Sequence, residues 1–283
     1  MSSLILVTGG TGKTGRRLVS SLRANGAECR VASRGAKEGE GERPFDWMKP
    51  ESWDRALEGV SAAYLVAPAA VADPAPPMID FLGRALDRGV SRFVLLSAAS
   101  LPAGGPAMGQ VHLWLQENAS EWTVLRPSWF MQNFTEGQHL SSLRDEDCIY
   151  SATGDGRVPF VSVGDVAAVA MVALTRERSF NADFILTSGQ PLSYDEVAER
   201  IGRAVERGIA HRRLSSDELV ARFQSRGLPP IYAEKLAAMD LAIAAGAEDR
   251  STDCIERLLG RPTISFDDFV ETSAPVWSLP MRP

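Results

Sequence analysis

The sequence predicts an α/β protein built on a doubly wound parallel sheet, with a smaller, mostly helical C-terminal region. Three observations carry this expectation. The first half alternates short apolar runs with helical patterns, as a parallel sheet flanked by helices does. A glycine-rich octapeptide, Thr8-Gly9-Gly10-Thr11-Gly12-Lys13-Thr14-Gly15, sits between the apolar run 4–7 and a stretch in which Leu18, Val19 and Leu22 recur at helical spacing. Beyond Arg126 the alternation loses its regularity and helical patterns dominate.

Taken in order, strands are expected at 4–7, 28–32, 43–45, 62–66, 92–96 and 122–125. The helix after the glycine turn is followed by others at 53–57, 78–87 and 111–118, with loops at 68–77 and 97–109. Residues 158–161 read as a short strand, and a helix opens at 163–165 and runs to Leu174. A late strand at 184–186 precedes helices at 193–205, 216–226 and 230–245, and 263–269 reads as a strand–helix element. The expected division is a nucleotide-binding domain over 1–175 and a substrate-capping region over 176–283, packed as one unit because no linker separates them. Ligands of such sheets bind at the strands' carboxyl ends, which the second region is expected to cover.

Composition excludes several function classes. The chain has 283 residues, 45% of them hydrophobic and 23% charged, with a mean hydropathy of −0.09. A net charge of −6 gives no electrostatic footprint for nucleic acid. No run approaches the roughly 20 apolar residues of a membrane span, and the chain enters a strand too early for a cleaved signal. Cys29, Cys148 and Cys254 are dispersed and odd in number, the usage of reduced thiols in a cytoplasmic protein. His112, His139 and His211 are equally scattered, so no metal site is expected. The expected partner is a small-molecule substrate, and nothing in the sequence speaks to oligomeric state.

Strand, glycine turn and helix form the arrangement that cradles a pyrophosphate. Unpaired N–H groups and the positive end of the helix dipole attract an anion there. Gly9 permits the sharp turn, Gly12 lets backbone approach the phosphates, and Gly15 allows close helix–strand packing. Thr8, Thr11, Lys13 and Thr14 belong to the same cofactor set. A P-loop would need glycine where Val7 stands. The sheet is therefore of the Rossmann type. Its second strand ends in Ser33-Arg34, with no carboxylate to grip a ribose 2′-hydroxyl. A hydroxyl and a guanidinium suit a 2′-phosphate, which makes NADP(H) the expected cofactor, although Arg34 also fits an ordinary solvated position. Asp46, Trp47, Val66, Ala67, Pro68, Ser97 and Pro127 complete the expected cofactor-binding set.

Longer strings carry a family resemblance. Residues 8–15, 31–34, 93–97 and 123–134 resemble the NmrA-like branch of the short-chain dehydrogenase/reductase superfamily. Within it, 45–47, 105–112, 149–156 and 237–250 are similar to the ergot-alkaloid reductase subfamily of festuclavine synthases and agroclavine dehydrogenases. The most discriminating string is Pro106-Ala107-Met108-Gly109-Gln110-Val111-His112. The resemblance implies an NADP(H)-binding fold and reduction of an iminium or a conjugated double bond. Relatives outside the alkaloid pathways share these strings, so it leaves the substrate open.

Short-chain dehydrogenases generally use Tyr-x-x-x-Lys, in which tyrosine protonates the developing alkoxide. Here Tyr64, Tyr150, Tyr194 and Tyr232 are followed at the lysine position by Pro68, Gly154, Ala198 and Leu236. An iminium substrate removes the difficulty, because its carbon accepts hydride and yields a neutral amine without a proton. Such a site has to tolerate a cation, which aromatic faces and a carboxylate suit. Trp129, Phe130 and Phe160 are the candidate aromatics and Asn133 a candidate polar contact, each equally suited to core or turn. Asp165 is the candidate carboxylate or, alternatively, a helix N-cap. His112 is the candidate proton donor, needed if the substrate is an enone, or else a histidine facing a neighbouring loop. The competing readings are an NAD(P)H:quinone reductase, a non-catalytic NADP(H)-sensing regulator of the NmrA type, and a scaffold for cyclisation.

Overall fold

The computed structural model describes residues 4–37, 39, 41–68, 71 and 73–278. In chain order they form β1 (Leu4–Thr8), α1 (Lys13–Ala24), β2 (Cys29–Ser33), β3 (Glu42–Pro44), α2 (Trp53–Leu57), β4 (Val60–Val66), α3 (Ala75–Asp87) and β5 (Arg92–Leu96). There follow α4 (Met108–Asn118), β6 (Glu121–Pro127), α5 (Leu140–Asp145), β7 (Cys148–Ser151), β8 (Arg157–Val158), α6 (Val163–Thr175), β9 (Ala182–Leu186) and β10 (Leu192–Ser193). The chain ends in α7 (Tyr194–Val205), β11 (Ala210–Arg213), α8 (Ser216–Ser225), α9 (Pro230–Ala244), α10 (Cys254–Leu259) and α11 (Phe266–Ser278).

Contacts group these elements into two compact units, and the chain passes between them repeatedly instead of dividing once at 175. One unit takes the chain up to Pro127, Val163–Leu186 and Cys254–Pro262; the other takes Ser128–Ser162, Thr187–Asp253 and the chain from Thr263. The first holds a seven-stranded parallel sheet in the order β3-β2-β1-β4-β5-β6-β9. Its inner strands are apolar because helices cover both faces, whereas the edge strand β3 is Glu-Arg-Pro. On one face Leu6, Ala63, Leu65, Phe93, Leu95 and Val124 pack with Met78, Phe81 and Leu82 of α3 and Val111 and Leu115 of α4. Helix α6, apolar nearly all round, packs against α1 and against β4, β5 and β6. The strand order reverses between β1 and β4, and the turn that follows β1 opens at that point, where ligands of doubly wound sheets bind.

The second unit is built on an aromatic cluster. Phe134 meets the rings of Phe160, Tyr194 and Phe266 edge-on at 5.2–6.0 Å, and its carbonyl accepts the Trp277 indole N–H at 2.8 Å. Two short ladders, β7 with β11 in parallel and β8 with β10 antiparallel, flank it. Capping boxes start α7 (Ser193 with Glu196) and α8 (Ser215 with Glu218), which satisfies their first N–H groups.

Several elements differ from expectation. The late strand is longer and joins the main sheet beside β6. Helix α3 begins at Ala75, inside the expected loop, part of which (69, 70 and 72) lies outside the described residues. No strand forms over 263–265; α11 alone occupies that end and carries Pro275 within it. β7 and β11 were not anticipated, because Ala-His-Arg-Arg has no apolar alternation.

Asp240 on α9 is 5% exposed, and its carboxylate accepts the Ala152 N–H at 2.9 Å. Desolvation pushes its pKa up to about 6. The unfolded chain binds this proton less tightly, so the stability it confers is fully present below about pH 3.8 and is lost as pH rises through 6. The penalty at neutral pH comes to about 3 kcal/mol. Asp240→Asn still accepts the Ala152 N–H. It is expected to match the parent in calorimetric Tm near pH 4 and to exceed it by several degrees near pH 8.

Candidate functional site

The glycine turn is built by close approach. Gly9 adopts φ +60°, and Gly12 donates to its carbonyl at 2.8 Å. A Cβ on Gly15 would lie 2.2 Å from the Gly9 oxygen and 2.8 Å from the Gly10 Cα. Gly10, which the sequence reading left out of the site, is needed too: its Cβ would fall 2.7 Å from Val31 Cγ1 on the neighbouring strand. Gly12 is the N-cap of α1, and no side-chain oxygen caps that helix. Thr11 and Gly12 are exposed and Lys13 half-buried, whereas Thr14 is buried beneath the turn. Thr8 is fully buried and does something else. Its hydroxyl donates to the Tyr64 carbonyl at 3.0 Å and accepts from the Val66 N–H at 2.9 Å, which ties β1 to β4 and withdraws the side chain from ligand contact.

At the carboxyl ends of the neighbouring strands two buried hydroxyls stand without a partner, Ser33 Oγ after β2 and Ser97 Oγ after β5. An unsatisfied buried hydroxyl costs about 1–3 kcal/mol, so each keeps hydrogen-bonding capacity for a further polar group. Arg34, next to Ser33, is exposed and makes no ion pair among the described residues. The donor set (amide groups at an uncapped helix N-terminus, a free hydroxyl and a free guanidinium) fits a phosphorylated dinucleotide. Val66, Ala67 and Pro68 are half-buried at the end of β4, and the buried Pro127 closes β6, its carbonyl accepting from Ala99 N–H at 2.9 Å. Asp46 is half-buried, with its carboxylate accepting the Met48 N–H at 3.0 Å.

Other expected residues are placed differently. Trp47 is 6% exposed, edge-on to Phe45 and Phe81, with its indole N–H on the Val66 carbonyl at 3.1 Å; it is scaffold under the cofactor edge. His112 is 1% exposed on the α4 face that carries Met108, Val111 and Leu115, with its ring centroid 5.8 Å from that of Trp122. Burial lowers its pKa, its Nδ1 has no hydrogen-bond partner among the described residues, and its packing is that of a core histidine. Asp165 is fully buried and bound to Arg261 at 2.7 Å, a clamp between α6 and the segment after α10. Arg126, next to the expected cofactor residue Pro127, is bound to Asp183 at 2.7 Å and to the Ala99 carbonyl at 2.9 Å. Phe160 is 1% exposed within the aromatic cluster and is core. Trp129, Phe130 and Asn133 are half-buried in the segment after β6, where Phe130 forms a bridge with Val161.

Comparison with known proteins agrees with this geometry. Residues 9–177 match the family described as NAD(P)H-binding. Agroclavine dehydrogenase of Claviceps fusiformis is 42% identical, over 96% of this chain and 98% of that protein. An uncharacterized oxidoreductase, YesF, of Bacillus subtilis is 41% identical over 97% and 96%. Among solved structures, a triphenylmethane reductase of Citrobacter sp. complexed with NADP(H) superposes with a TM-score of 0.80 at 24% identity, over 95% of this chain and 99% of that one. Among the described residues no helix is long and apolar enough to cross a membrane. The chain belongs to the NAD(P)H-binding family, in the branch that holds the ergot-alkaloid reductases, and is an NAD(P)H-dependent oxidoreductase.

Proposed function

We propose that the protein is an NADPH-dependent reductase of an iminium, or of an activated C=C bond, in a small cyclic or aromatic molecule. The observation that carries this reading is the lack of a tyrosine–lysine acid. No tyrosine has lysine four residues on, Tyr64 and Tyr194 are fully buried, and the Tyr150 hydroxyl is spent on Glu146 at 2.8 Å. A ketone reduced here would leave an alkoxide without its usual proton source. An iminium carbon that gains a hydride becomes a neutral amine and asks for no acid. The 42% identity to an agroclavine dehydrogenase, over 96% of this chain, supports a small-molecule alkaloid as the class of substrate.

NADPH, when bound, supplies the hydride. The residues that would hold it are the amide groups of the 9–15 turn for the pyrophosphate, Ser33 and Arg34 for the 2′-phosphate, and Ser97 at the end of β5. Trp129 and Phe130 would present aromatic faces to the cation, with Asn133 as a polar contact. Fixing donor and acceptor in one orientation contributes several kcal/mol of barrier reduction without any covalent role for the protein. Arg34→Ala is expected to weaken NADPH binding about tenfold while leaving NADH affinity nearly unchanged, as measured by fluorescence titration of each. The reading itself is tested by incubating the protein and NADPH with cyclic iminium salts, enones and quinones while following nicotinamide absorbance. Turnover of iminium salts is the expected outcome. Oxidation by quinones alone would move the assignment to a quinone reductase.

A further inference from the structure

A cavity of about 250 Å³ opens within the second unit, lined from α5 and the segment before it, β7, α8 and α9. Every lining residue belongs to that unit, and none is among the expected cofactor or substrate contacts. The charged side chains that line it are Arg222 and Arg226, with no carboxylate. Tyr150, Leu219, Phe223, Leu228 and Leu236 make most of the wall apolar. Both guanidinium groups are held by one carboxylate outside the lining, that of Glu146. Arg222 Nη2 donates to its two oxygens at 2.7 and 2.8 Å, and Arg226 Nη2 donates to Oε1. Arg222 also lies over the Tyr150 ring, 3.4 Å from its centre, and Arg226 Nη1 donates to the Ser141 hydroxyl at 2.7 Å. Nε and Nη1 of Arg222 make no hydrogen bond among the described residues.

Two cations that share one anion leave positive charge in excess beside an apolar space. A third guanidinium, that of Arg212, lies 5.9 Å from the Tyr150 ring and adds to it. Tying α8 to the end of α5 accounts for Glu146 but leaves the cavity beside the pair unexplained. We propose that this cavity binds a flat aromatic monocarboxylate, its carboxylate on Arg222 and Arg226 and its rings against Leu219, Phe223 and Leu236. The proposal is independent of the reductase reading. A cavity of about 150 Å³ takes benzene, so this one takes a two-ring body with one carboxylate and is too small for a long acyl chain. The excess left by Arg222 and Arg226 over Glu146 is a single charge, which suits a carboxylate better than a phosphate dianion. Arg222 is already fixed by Glu146 and the Tyr150 ring, so little side-chain freedom is lost when an anion binds. Its open N–H groups supply charge-assisted hydrogen bonds, which strengthen beside an apolar wall.

The test titrates 2-naphthoate calorimetrically into the full-length protein saturated with NADP+, so that the anion does not compete for the glycine turn. The uncharged 2-naphthamide, of the same shape, is the control. The parent is expected to bind the acid at least about tenfold more tightly than the amide. Arg222→Gln is expected to weaken the acid at least about tenfold and to leave the amide within about twofold. Leu236→Trp fills the cavity and is expected to weaken acid and amide alike by at least about tenfold, which separates the cavity from the arginine-bearing surface around it. The fold of each variant is checked by its urea midpoint. No binding of the acid by the parent, or equal affinity for acid and amide, overturns the assignment. Parent-like affinity for the acid in a folded Arg222→Gln or Leu236→Trp overturns it as well. Should Arg222→Gln not fold, Arg226→Gln replaces it, and parent-like affinity for the acid in that variant overturns the assignment.

Discussion

Gly15→Ala is expected to weaken NADPH binding by at least about 100-fold in a calorimetric titration, with a loss of about 1–3 kcal/mol in the stability of the free protein. The added methyl would sit 2.2 Å from the Gly9 carbonyl oxygen and within 2.9 Å of two further backbone atoms of the turn. No flexible side chain is there to yield. The turn has to open, and the amide groups that would line the pyrophosphate lose their common aim. Gly83→Ala is the matching control. It lies inside α3 with open space around its Cβ, so it should stabilise the helix by about 0.5–1 kcal/mol and leave affinity untouched. Parent-like NADPH affinity in Gly15→Ala would mean that the turn is not the nucleotide cradle.

Arg261→Ala is expected to destabilise the protein by about 2–4 kcal/mol, read as a lower urea midpoint. Asp165 is fully buried and its carboxylate meets the guanidinium at 2.7 Å, so removal of the arginine takes a counter-charge from a carboxylate held away from water. The side chain of Arg261 is 45% exposed, which lets solvent screen part of the pair and places the figure below that of a fully enclosed one. Asp165→Asn keeps the shape, frees Arg261 to turn to water, and should cost less. The folded Asp165→Asn enzyme is expected to retain kcat within about threefold, because the carboxylate it loses is a structural clamp. A fall of 100-fold or more in that variant would restore Asp165 to the chemistry.

What the sequence revealed depended on whether the relevant forces were local. The inner strands of the main sheet are legible because burial on both faces makes them apolar runs, and the turn after β1 is legible because its glycines are close in sequence. The requirement for Gly10 comes from Val31, on another strand, and no spacing rule within the turn contains it. Asp165 was ambiguous because the arginine that claims it lies 96 residues away. His112 is a different case. Met108, Val111, His112 and Leu115 fall at one-face helical spacing, so its burial was readable and the functional reading competed with it. β11 escaped notice because its exposed, arginine-rich sequence gains its strand conformation only from the pairing with β7.

The passage of the chain back into its first unit has a practical consequence for protein engineering. A gene truncated at codon 175 would lack β9, leaving the backbone edge of β6 bare and Arg126 without Asp183, an invitation to sticky, edge-to-edge association. The first unit cannot be lifted out as a contiguous cassette. A chimera that exchanges the second unit for a relative's would have to be spliced after Pro127, Ser162, Leu186, Asp253 and Pro262 together.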